Sequence, residues 1–499
     1  MKRLQLALTL VGTALGSACG SATPAPALEP ERSAAPPAEP WRPRPMPPRA
    51  RLDPSGDSSS AEAHFDQRLS NGIRLVVVPM RGRARVTTRL YLGSGSADDA
   101  PDARGATYIA AALLGETHGR FAPGRRISEE SLRRKVFDAG AMYRFEVGHD
   151  ETFLEIGGFS ADLPRHLRFL RDAVDDPRRN DLIFSAYRGA LIHAVEELAP
   201  EDDQTFVELI SRAAFGQGHP YARSTIGDLA SLRELGFGQI TDRQDQLLVP
   251  SRATLLVVGP VTPMTVLRVA ESALGTWRVR RRAPPRRTIV PPSPPRRTTA
   301  VQVPIPAASL VTVCGARPLG DLDVDEPRMK LLAGVLGSGF GSRLHRALRT
   351  ERGLVYSASA QLVTRRRAAA LIVCSAMPKD KSDVGLRVLR ETIAQMGTRP
   401  PERSEIERAQ AQLATSLATR TEDPAHALAT WNDLIVRGRA FERAAPERLQ
   451  TSELAPVQSL AARIADVQRW RFILAGSVSQ SRSAAKANGL SLRRFDGGR

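Results

Sequence analysis

The chain has 499 residues, of which 42% are hydrophobic, enough to bury the cores of about two to four domains. Its formal net charge is +18, and arginine carries almost all of the excess. An arginine bias spread over a whole chain is typical of nucleotide composition, and the alternative is a basic face for anionic lipid or acidic peptide. No recognised nucleic-acid-binding motif accompanies the charge, so we expect no nucleic-acid partner.

The first 19 residues are typical of a secretory signal. Lys2 and Arg3 precede a mostly apolar run over residues 6–15, which is too short to span a bilayer. Cys19 follows small residues, as at a bacterial lipoprotein processing site, although Gly16 stands where leucine is usual. We expect Cys19 to be lipidated and to attach the chain to a membrane. The alternative is an ordinary signal peptide with an incidental cysteine.

Residues 20–61 contain PAPALEPERSAAPPAEPWRPRPMPPRA, a proline-rich stretch with too little apolar surface to fold. We expect a disordered tether, which at about 3 Å per extended residue would hold a domain on the order of 100 Å from a membrane. Signal, cysteine and tether together predict a location in the bacterial cell envelope. The expected position is the periplasmic side of a membrane, with the outer membrane favoured.

After the tether, two units follow one another in a similar order. The first, residues 62–278, opens with HFDQRLSNGIRLVVVPM, which predicts two strands joined by an Asn-Gly turn, and closes with SRATLLVVGPV. A Pro/Arg-rich linker, residues 279–300, separates it from the second, residues 301–482, which closes with QRWRFILAGSV. Residues 483–499 are interpreted as a basic tail. The matching order and endings predict an α+β fold built from two homologous α/β-sandwich domains.

Two cysteines lie inside the second unit. Cys314 and Cys374 occur in the apolar, strand-like runs LVTVCGAR and AALIVCSAM. Buried free thiols are the first interpretation. A disulfide is the alternative in an oxidising compartment.

Four segments along residues 62–480 resemble the pitrilysin/insulinase-type (M16) zinc peptidases, a family that includes mitochondrial processing peptidase. They are LSNGIRLVVVP, FGQGHPYARSTIGDLASL, SRATLLVVGPV and GSRLHRALRTERGLVYSASA. Each resembles a family segment in the same order along the chain, and the third resembles the strand that ends the family's first domain. The resemblance therefore implies two M16-type domains.

The family's metal site is a His-x-x-Glu-His motif on the leading helix of the first domain. Side chains at i and i+4 share one helical face, so two imidazoles can bind one Zn²⁺ while the glutamate acts on its bound water. Aligned on Gly105, the three positions of GATYIAAALLGETHG become Tyr108, Ala111 and Ala112. Alanine has no lone pair to donate, so we expect no catalytic residue and no metal in this chain.

A later helix supplies the family's remaining carboxylate ligand. One alignment of YRGALIHAVEEL puts Tyr187 and Ala194 at its acidic positions, and a small shift offers Glu196 or Glu197 instead. A single carboxylate cannot hold zinc against water. A relocated metal site is the alternative, and the residues that could contribute to it are Glu116, His118, His193, Glu196 and Glu197.

The second-unit motif LRTERGLVY supplies Arg349 and Tyr356, seven residues apart. In the family, an arginine and a tyrosine at this separation contact the substrate backbone near the scissile bond. A guanidinium can clamp a carbonyl or carboxylate, and a phenol can donate to a developing oxyanion. The alternative is a salt-bridging arginine and a packed tyrosine. We interpret His219, Pro220 and Tyr221 of the signature loop as structural.

The resemblance implies that the chain is a non-catalytic subunit. Some family members work in pairs, in which one subunit carries the zinc motif and the other keeps only the Arg-Tyr pair. The expected partners are such a zinc-bearing subunit, an extended peptide and a membrane reached through the lipid anchor. The alternatives are an assembly module that uses the fold for protein–protein contact, and an active metallopeptidase with unconventional ligands.

Overall fold

The computed structural model describes residues 64–80, 82–115, 132–175, 177, 179–198, 203–279, 287–305, 308–320, 326–422, 424–438 and 454–494. The predicted signal peptide, Cys19 and the tether lie outside these residues. So do Glu116 and His118, two of the residues considered for a relocated metal site.

Two six-stranded sheets organise the described residues. The first sheet contains β1 (Phe65–Arg68), β2 (Arg74–Pro79), β3 (Arg85–Tyr91), β4 (Met142–Val147), β5 (Thr152–Phe159) and β6 (Thr254–Gly259). The second contains β7 (Thr299–Pro304), β8 (Leu310–Gly320), β9 (Ala358–Arg365), β10 (Ala368–Pro378), β11 (Arg471–Gly476) and β12 (Leu492–Arg494). The strand orders are β1-β2-β6-β3-β5-β4 and β12-β7-β11-β8-β10-β9.

The two sheets repeat one five-stranded topology. β2 runs parallel to β6 as β7 does to β11, and the remaining pairs of each five-stranded core are antiparallel. The closing strands end on Gly259 and Gly476, with φ of 154° and 157°. A Cβ at either glycine would come within 2.8 Å of the neighbouring strand's backbone, so both positions require glycine. The α+β fold with a duplicated unit is thus confirmed.

Helices cover the sheets. Those of the first half are α1 (Ala106–Leu113), α2 (Leu132–Asp138), α3 (Leu163–Asp175), α4 (Asp181–Glu196), α5 (Asp203–Phe215), α6 (Leu229–Glu234), α7 (Phe237–Leu247) and α8 (Pro263–Leu274). Those of the second half are α9 (Glu326–Gly337), α10 (Arg343–His345), α11 (Ser382–Thr398), α12 (Arg403–Glu422), α13 (Pro424–Val436), α14 (Leu454–Ala465) and α15 (Val478–Ala487). Within the described ranges, no helix combines the length and hydropathy needed to cross a bilayer.

Each half covers one face of the other half's sheet. Helix α5 of the first half packs on β8, β10 and β11, where Phe206 and Ile210 join a buried cluster with residues of the second sheet. Helix α13 of the second half packs Leu428 and Trp431 against apolar side chains of the first sheet. Burial of apolar side chains on both faces of both sheets therefore depends on both halves being folded together.

The predicted linker, residues 279–300, packs along the first half where it is described. Ile289 is 5% exposed and belongs to the buried cluster beneath α5. The ring Nε2 of His219 lies 2.9 Å from the carbonyl oxygen of Val290. Strand β7 begins at Thr299, so the last two residues assigned to the linker are part of the second sheet.

The described part of residues 483–499, the range predicted to be a basic tail, is folded against the second half. Helix α15 continues through the predicted boundary, and Ala484 and Ala485 are fully buried in the second core. Strand β12 then pairs in parallel with β7. The segment folds because small apolar residues and Leu490 lie between its charges and supply a face to pack.

The two cysteines of the second unit form a disulfide. Cys314 on β8 and Cys374 on β10 are directly opposite in the antiparallel register, with Cα atoms 4.2 Å apart. Both are buried, at 1% and 2% exposure, beneath α5. The interpretation as free thiols is therefore corrected, because cross-strand register brings the two side chains together.

Candidate functional site

The N-terminus of α1 is anchored by a buried ionic network. Gly105 adopts the left-handed conformation with φ of 93°, and Asp99 accepts hydrogen bonds from the backbone N–H groups of Gly105 and Thr107. Arg243 from α7 donates to the Thr107 hydroxyl at 2.6 Å and lies 3.2 Å from the Asp99 carboxylate. Burial raises the pKa of Asp99 and Arg243 opposes the shift. These contacts fix the position of α1.

The face of α1 that aligns with the family's zinc motif consists of two buried alanines and a packed tyrosine ring. Ala111 and Ala112 are 0% and 1% exposed. The ring of Tyr108 packs edge to face against Phe145 on the edge strand β4, with centroids 5.5 Å apart. No side chain at these three positions is a zinc ligand in a site of this kind, so the residues present do not fit the metal that the fold family implies.

Helix α4 does not replace the missing ligands. Tyr187 packs against the first core, Ala194 is exposed, and Glu196 forms an ion pair with Arg233 at 2.7 Å.

The structure does bring two other candidate residues of α4 together. Nε2 of His193 lies 3.4 Å from Oε1 of Glu197, with both side chains about 70% exposed. A third ligand is missing from this pair. Across the described ranges, no three His, Cys, Asp or Glu side chains are grouped so that they could hold a metal ion.

Arg349 and Tyr356 are brought into contact by an unusual turn. α10 continues as a π-helical turn, Arg346–Thr350, and Gly353 then reverses the chain with φ of 59°. Nη1 of Arg349 donates to the backbone carbonyl of Tyr356 at 3.0 Å, and its guanidinium carbon lies 4.9 Å from the centroid of the tyrosine ring. The widened turn therefore presents the two predicted residues as one unit, as π-helical turns at functional sites often do.

A second aromatic ring completes this unit. The guanidinium carbon of Arg349 lies 5.6 Å from the centroid of Phe340, so the cation contacts two rings. Phe340 and Tyr356 are 77% and 72% exposed, and the buried His345 packs edge to face against Phe340. We call Phe340, Arg349 and Tyr356 the aromatic–arginine cluster. Sequence reasoning missed Phe340, whose only signal is a lone aromatic residue among the glycines of GSGFGS.

The signature loop contributes structural contacts, as interpreted from the sequence. The hydroxyl of the buried Tyr221 donates to Asp150 at 2.7 Å. The other oxygen of Asp150 accepts from the backbone N–H of Arg366 at 2.8 Å. Asp150 lies at the tip of the β4–β5 hairpin and Arg366 at the tip of the β9–β10 hairpin, so this network joins the two halves.

Two neighbours of Asp150 have strongly shifted pKa values. Burial and repulsion by the Asp150 carboxylate raise the pKa of Glu151 to about 7, although Arg365 opposes the shift. Burial and the positive charge of Arg365 lower the pKa of His149 to about 3. Nε2 of His149 lies 3.0 Å from the carbonyl oxygen of Arg223. Both groups are therefore largely uncharged between about pH 3 and about pH 7.

The comparisons with known proteins agree with this architecture. A family profile described as the peptidase M16 inactive domain matches residues 237–413. An uncharacterised zinc protease of Mycobacterium tuberculosis is 25% identical over 354 residues, which cover 70% of this chain and 77% of the relative. Mouse mitochondrial cytochrome b-c1 complex subunit 1 is 23% identical over 208 residues, or 42% of each chain.

A solved structure has the same fold. The peptidase M16 inactive domain from Pseudomonas fluorescens superposes with a TM-score of 0.71, at 18% identity, over 83% of this chain and 98% of that one. The described halves and the absence of ligand side chains on α1 define a zinc-peptidase fold without its zinc motif. The chain has the fold of the M16 peptidases and is similar in sequence to their inactive domain and to zinc proteases, but its sequence lacks His-x-x-Glu-His.

Proposed function

We propose that this protein is a non-catalytic, peptide-binding subunit that partners a zinc-bearing M16 peptidase in the bacterial cell envelope. The observation that carries the proposal is a contrast between the two halves. The metal-binding face of α1 has become packed alanine, whereas the aromatic–arginine cluster stays organised and open to solvent. A subunit that used the fold for its own hydrolysis would need metal ligands on α1 as well as the aromatic–arginine cluster.

An unpaired strand edge supports peptide binding. β4 is the outermost strand of the first sheet and has no strand on its outer side among the described residues. Met142 on β4 and Phe137 at the end of α2 are 70% and 74% exposed. An extended peptide can add to such an edge through main-chain hydrogen bonds, and exposed apolar side chains beside the edge would favour its apolar residues.

The aromatic–arginine cluster supports a role in gripping the peptide. Among the described residues, Nη1 of Arg349 donates to the Tyr356 carbonyl and lies 3.4 Å from Nε2 of His345. The other nitrogens of the planar guanidinium therefore retain donors for a carbonyl or carboxylate. The stacking of Arg349 on two rings fixes its orientation before peptide arrives, which lowers the entropy lost on binding.

The envelope location is supported by two independent features. The Cys314–Cys374 disulfide fits an oxidising compartment. The signal-like N-terminus with Cys19 would deliver the chain to such a compartment and attach it to a membrane. Zinc would then be supplied by the partner subunit.

The test is co-expression with a zinc-motif relative and cleavage of an internally quenched peptide. We expect cleavage to require both chains. Arg349→Ala and Arg349→Lys should each lower kcat/KM about 10- to 100-fold, because a hydrogen bond to a charged group contributes about 1.5–3 kcal/mol and lysine lacks the fork. Arg352→Ala, an exposed neighbour, is the matched control and should leave cleavage unchanged. Equal activity of the partner alone would contradict the proposal.

A second candidate is an assembly module, favoured by the similarity to cytochrome b-c1 complex subunit 1. In that case the fold would serve protein–protein contact and the aromatic–arginine cluster would be incidental. Affinity purification from envelope extract distinguishes the two. Recovery of a stable complex without a peptidase relative, unaffected by Arg349→Ala, would favour assembly.

A further inference from the structure

A small pocket opens at the end of the second half, away from the aromatic–arginine cluster, with which it shares no residue. It has a volume of about 280 Å³ and lies between α15 and the strands β7 and β12. Its lining residues are Gln302, Arg482, Ala485, Lys486, Leu490, Leu492 and Arg494. Three of the seven are cationic and none is acidic, so the pocket has a strong positive potential.

The fold directs the three cations to one place. Arg482 and Lys486 stand four residues apart on α15, which puts them on one helical face. Arg494 lies on β12 directly opposite Gln302 of β7 in the parallel register. Cations from a helix and from a sheet edge thus surround the same opening.

A buried donor in the lining of the pocket is the second, independent observation. Gln302 is only 3% exposed, and its side-chain Nε2 has no hydrogen-bond partner among the described residues. Leaving a buried amide donor without a hydrogen bond costs about 1–3 kcal/mol. Such a group is therefore expected to meet an acceptor that the protein itself does not supply.

The duplicated unit shows that this glutamine is not required by the fold. Pro79 and Pro304 are equivalent, because each pairs with the glycine that closes its sheet. Two residues earlier stand Val77 and Gln302. Val77 is fully buried and belongs to the first core. The second half therefore carries a polar donor where its twin carries a core valine, and this is also where the cations gather.

We propose that this pocket binds a phosphoryl group carried on a small apolar moiety. A phosphoryl group has enough anionic oxygens to accept from two guanidinium groups, an ammonium group and an amide donor at once. Ala485, Leu490 and Leu492 form the apolar part of the lining and contact the attached group. The phosphoryl group belongs either to a phospholipid headgroup or to a soluble phosphate ester.

The first test measures phosphate binding to the full chain carrying Cys19→Ser, which removes the predicted acylation site from every sample. Inorganic phosphate is titrated by calorimetry against acetate and chloride at equal ionic strength. Phosphate is expected to bind in preference to both. Gln302→Leu should weaken binding about tenfold without loss of thermal stability, because it removes an unpaired buried donor and leaves the cations in place.

The role of charge is tested with Arg494→Gln, and Arg493→Gln is its matched control. They remove the same charge from adjacent residues of β12, whose side chains point to opposite faces of the sheet. Arg494→Gln should weaken phosphate binding about tenfold and Arg493→Gln should leave it unchanged. Equal losses in the two variants, or equal heats for phosphate and acetate, would overturn the proposal.

The second test identifies the source of the phosphoryl group. Flotation with phosphatidylglycerol vesicles is compared with flotation with phosphatidylcholine vesicles and repeated for the triple variant Arg482→Gln/Lys486→Gln/Arg494→Gln. Flotation that the triple variant loses assigns a lipid headgroup. Phosphate binding without specific flotation assigns a soluble ester. The absence of both would overturn the proposal.

Discussion

Ala111 and Ala112, at positions that align with the family's zinc motif, provide no metal ligand and also pack in the core. Ala111 and Ala112 are closed off from solvent, and the helix that carries them, α1, is fixed by the Asp99–Thr107–Arg243 network. A buried imidazole or carboxylate at these positions would need space and partners that the surroundings do not offer. The side chains that replace the family's zinc ligands at these two positions are therefore part of the packed core.

This reasoning predicts that the motif cannot be restored by substitution. The triple variant Tyr108→His/Ala111→Glu/Ala112→His should lose at least about 3 kcal/mol of unfolding free energy, since overpacking costs about 1–3 kcal/mol per site and a buried charge adds to it. Denaturant unfolding measures the loss. Metal analysis should find well under one zinc per chain, because a closed chelating site would be near-stoichiometric.

Tyr108→His alone is the control for the triple variant. Tyr108 is only partly buried, so a single exchange there should cost less than the two alanine replacements. A triple variant as stable as the wild type, with one zinc per chain, would show that the site had kept its space and its remaining ligand.

At the scale of elements, the β4–β5 hairpin tip carries a pH dependence. The pKa of Glu151 is about 7 in the folded chain, above its ordinary value of 4.5, so the folded state binds more protons between these values. This contribution to stability is present below about pH 4.5 and is lost as pH rises through 7. The pKa of His149 is lowered from 6.5 to about 3, so its contribution is present above pH 6.5 and is lost as pH falls towards 3.

We therefore predict that Glu151→Gln gains stability relative to the wild type as pH rises. Between pH 4.5 and pH 7.5 the difference in unfolding free energy should shift by about 2–3 kcal/mol in favour of the variant, because glutamine mimics the protonated acid. Urea unfolding at several pH values measures it. Glu234→Gln, an exposed carboxyl at the end of α6, is the control. Parallel pH profiles for wild type and Glu151→Gln would contradict the assignment.

Elements defined by local sterics could be predicted from the sequence. The first strand pair follows from its Asn-Gly turn, and the closing strands are recognised by Gly259 and Gly476, where only glycine fits. The disulfide could not be predicted, because strands buried on both faces are continuous apolar runs whose register has no alternating signal. Cys314 and Cys374 meet only because of that register.

The candidate site divides in the same way. The contact between Arg349 and Tyr356 is accessible to sequence reasoning because their spacing is local, and their role in binding peptide stays a prediction. Phe340 was missed because its contact with Arg349 is made by a glycine-rich loop that has no periodic pattern. Gln302 was missed because nothing in TAVQVP distinguishes a buried donor from an exposed one.

At the scale of the whole molecule, the two halves depend on each other. Helix α5 of the first half covers the second sheet, and helix α13 of the second half covers the first. Each sheet would expose an apolar face if the other half unfolded, which costs roughly 25 cal/mol per Å² of apolar surface. The disulfide lies under α5, and Asp150 and Arg366 join the two hairpin tips. A polypeptide assembled in this way is expected to unfold as one cooperative unit even though its sequence is a duplication.

The prediction concerns Trp431, which lies on α13 in the second half and packs against the first sheet. Trp431→Ala should lower the unfolding free energy by about 3–5 kcal/mol, because it leaves a large cavity between the halves. Calorimetry should still show a single transition, shifted to lower temperature, since neither half can keep its sheet covered alone. Leu182→Ala, at a side chain 81% exposed, is the surface control and should change stability by less than about 0.5 kcal/mol. The opposite result would be two separate transitions in the wild type, with Trp431→Ala shifting only one of them. It would show that the halves fold independently and that α5 and α13 contribute little to the stability of either.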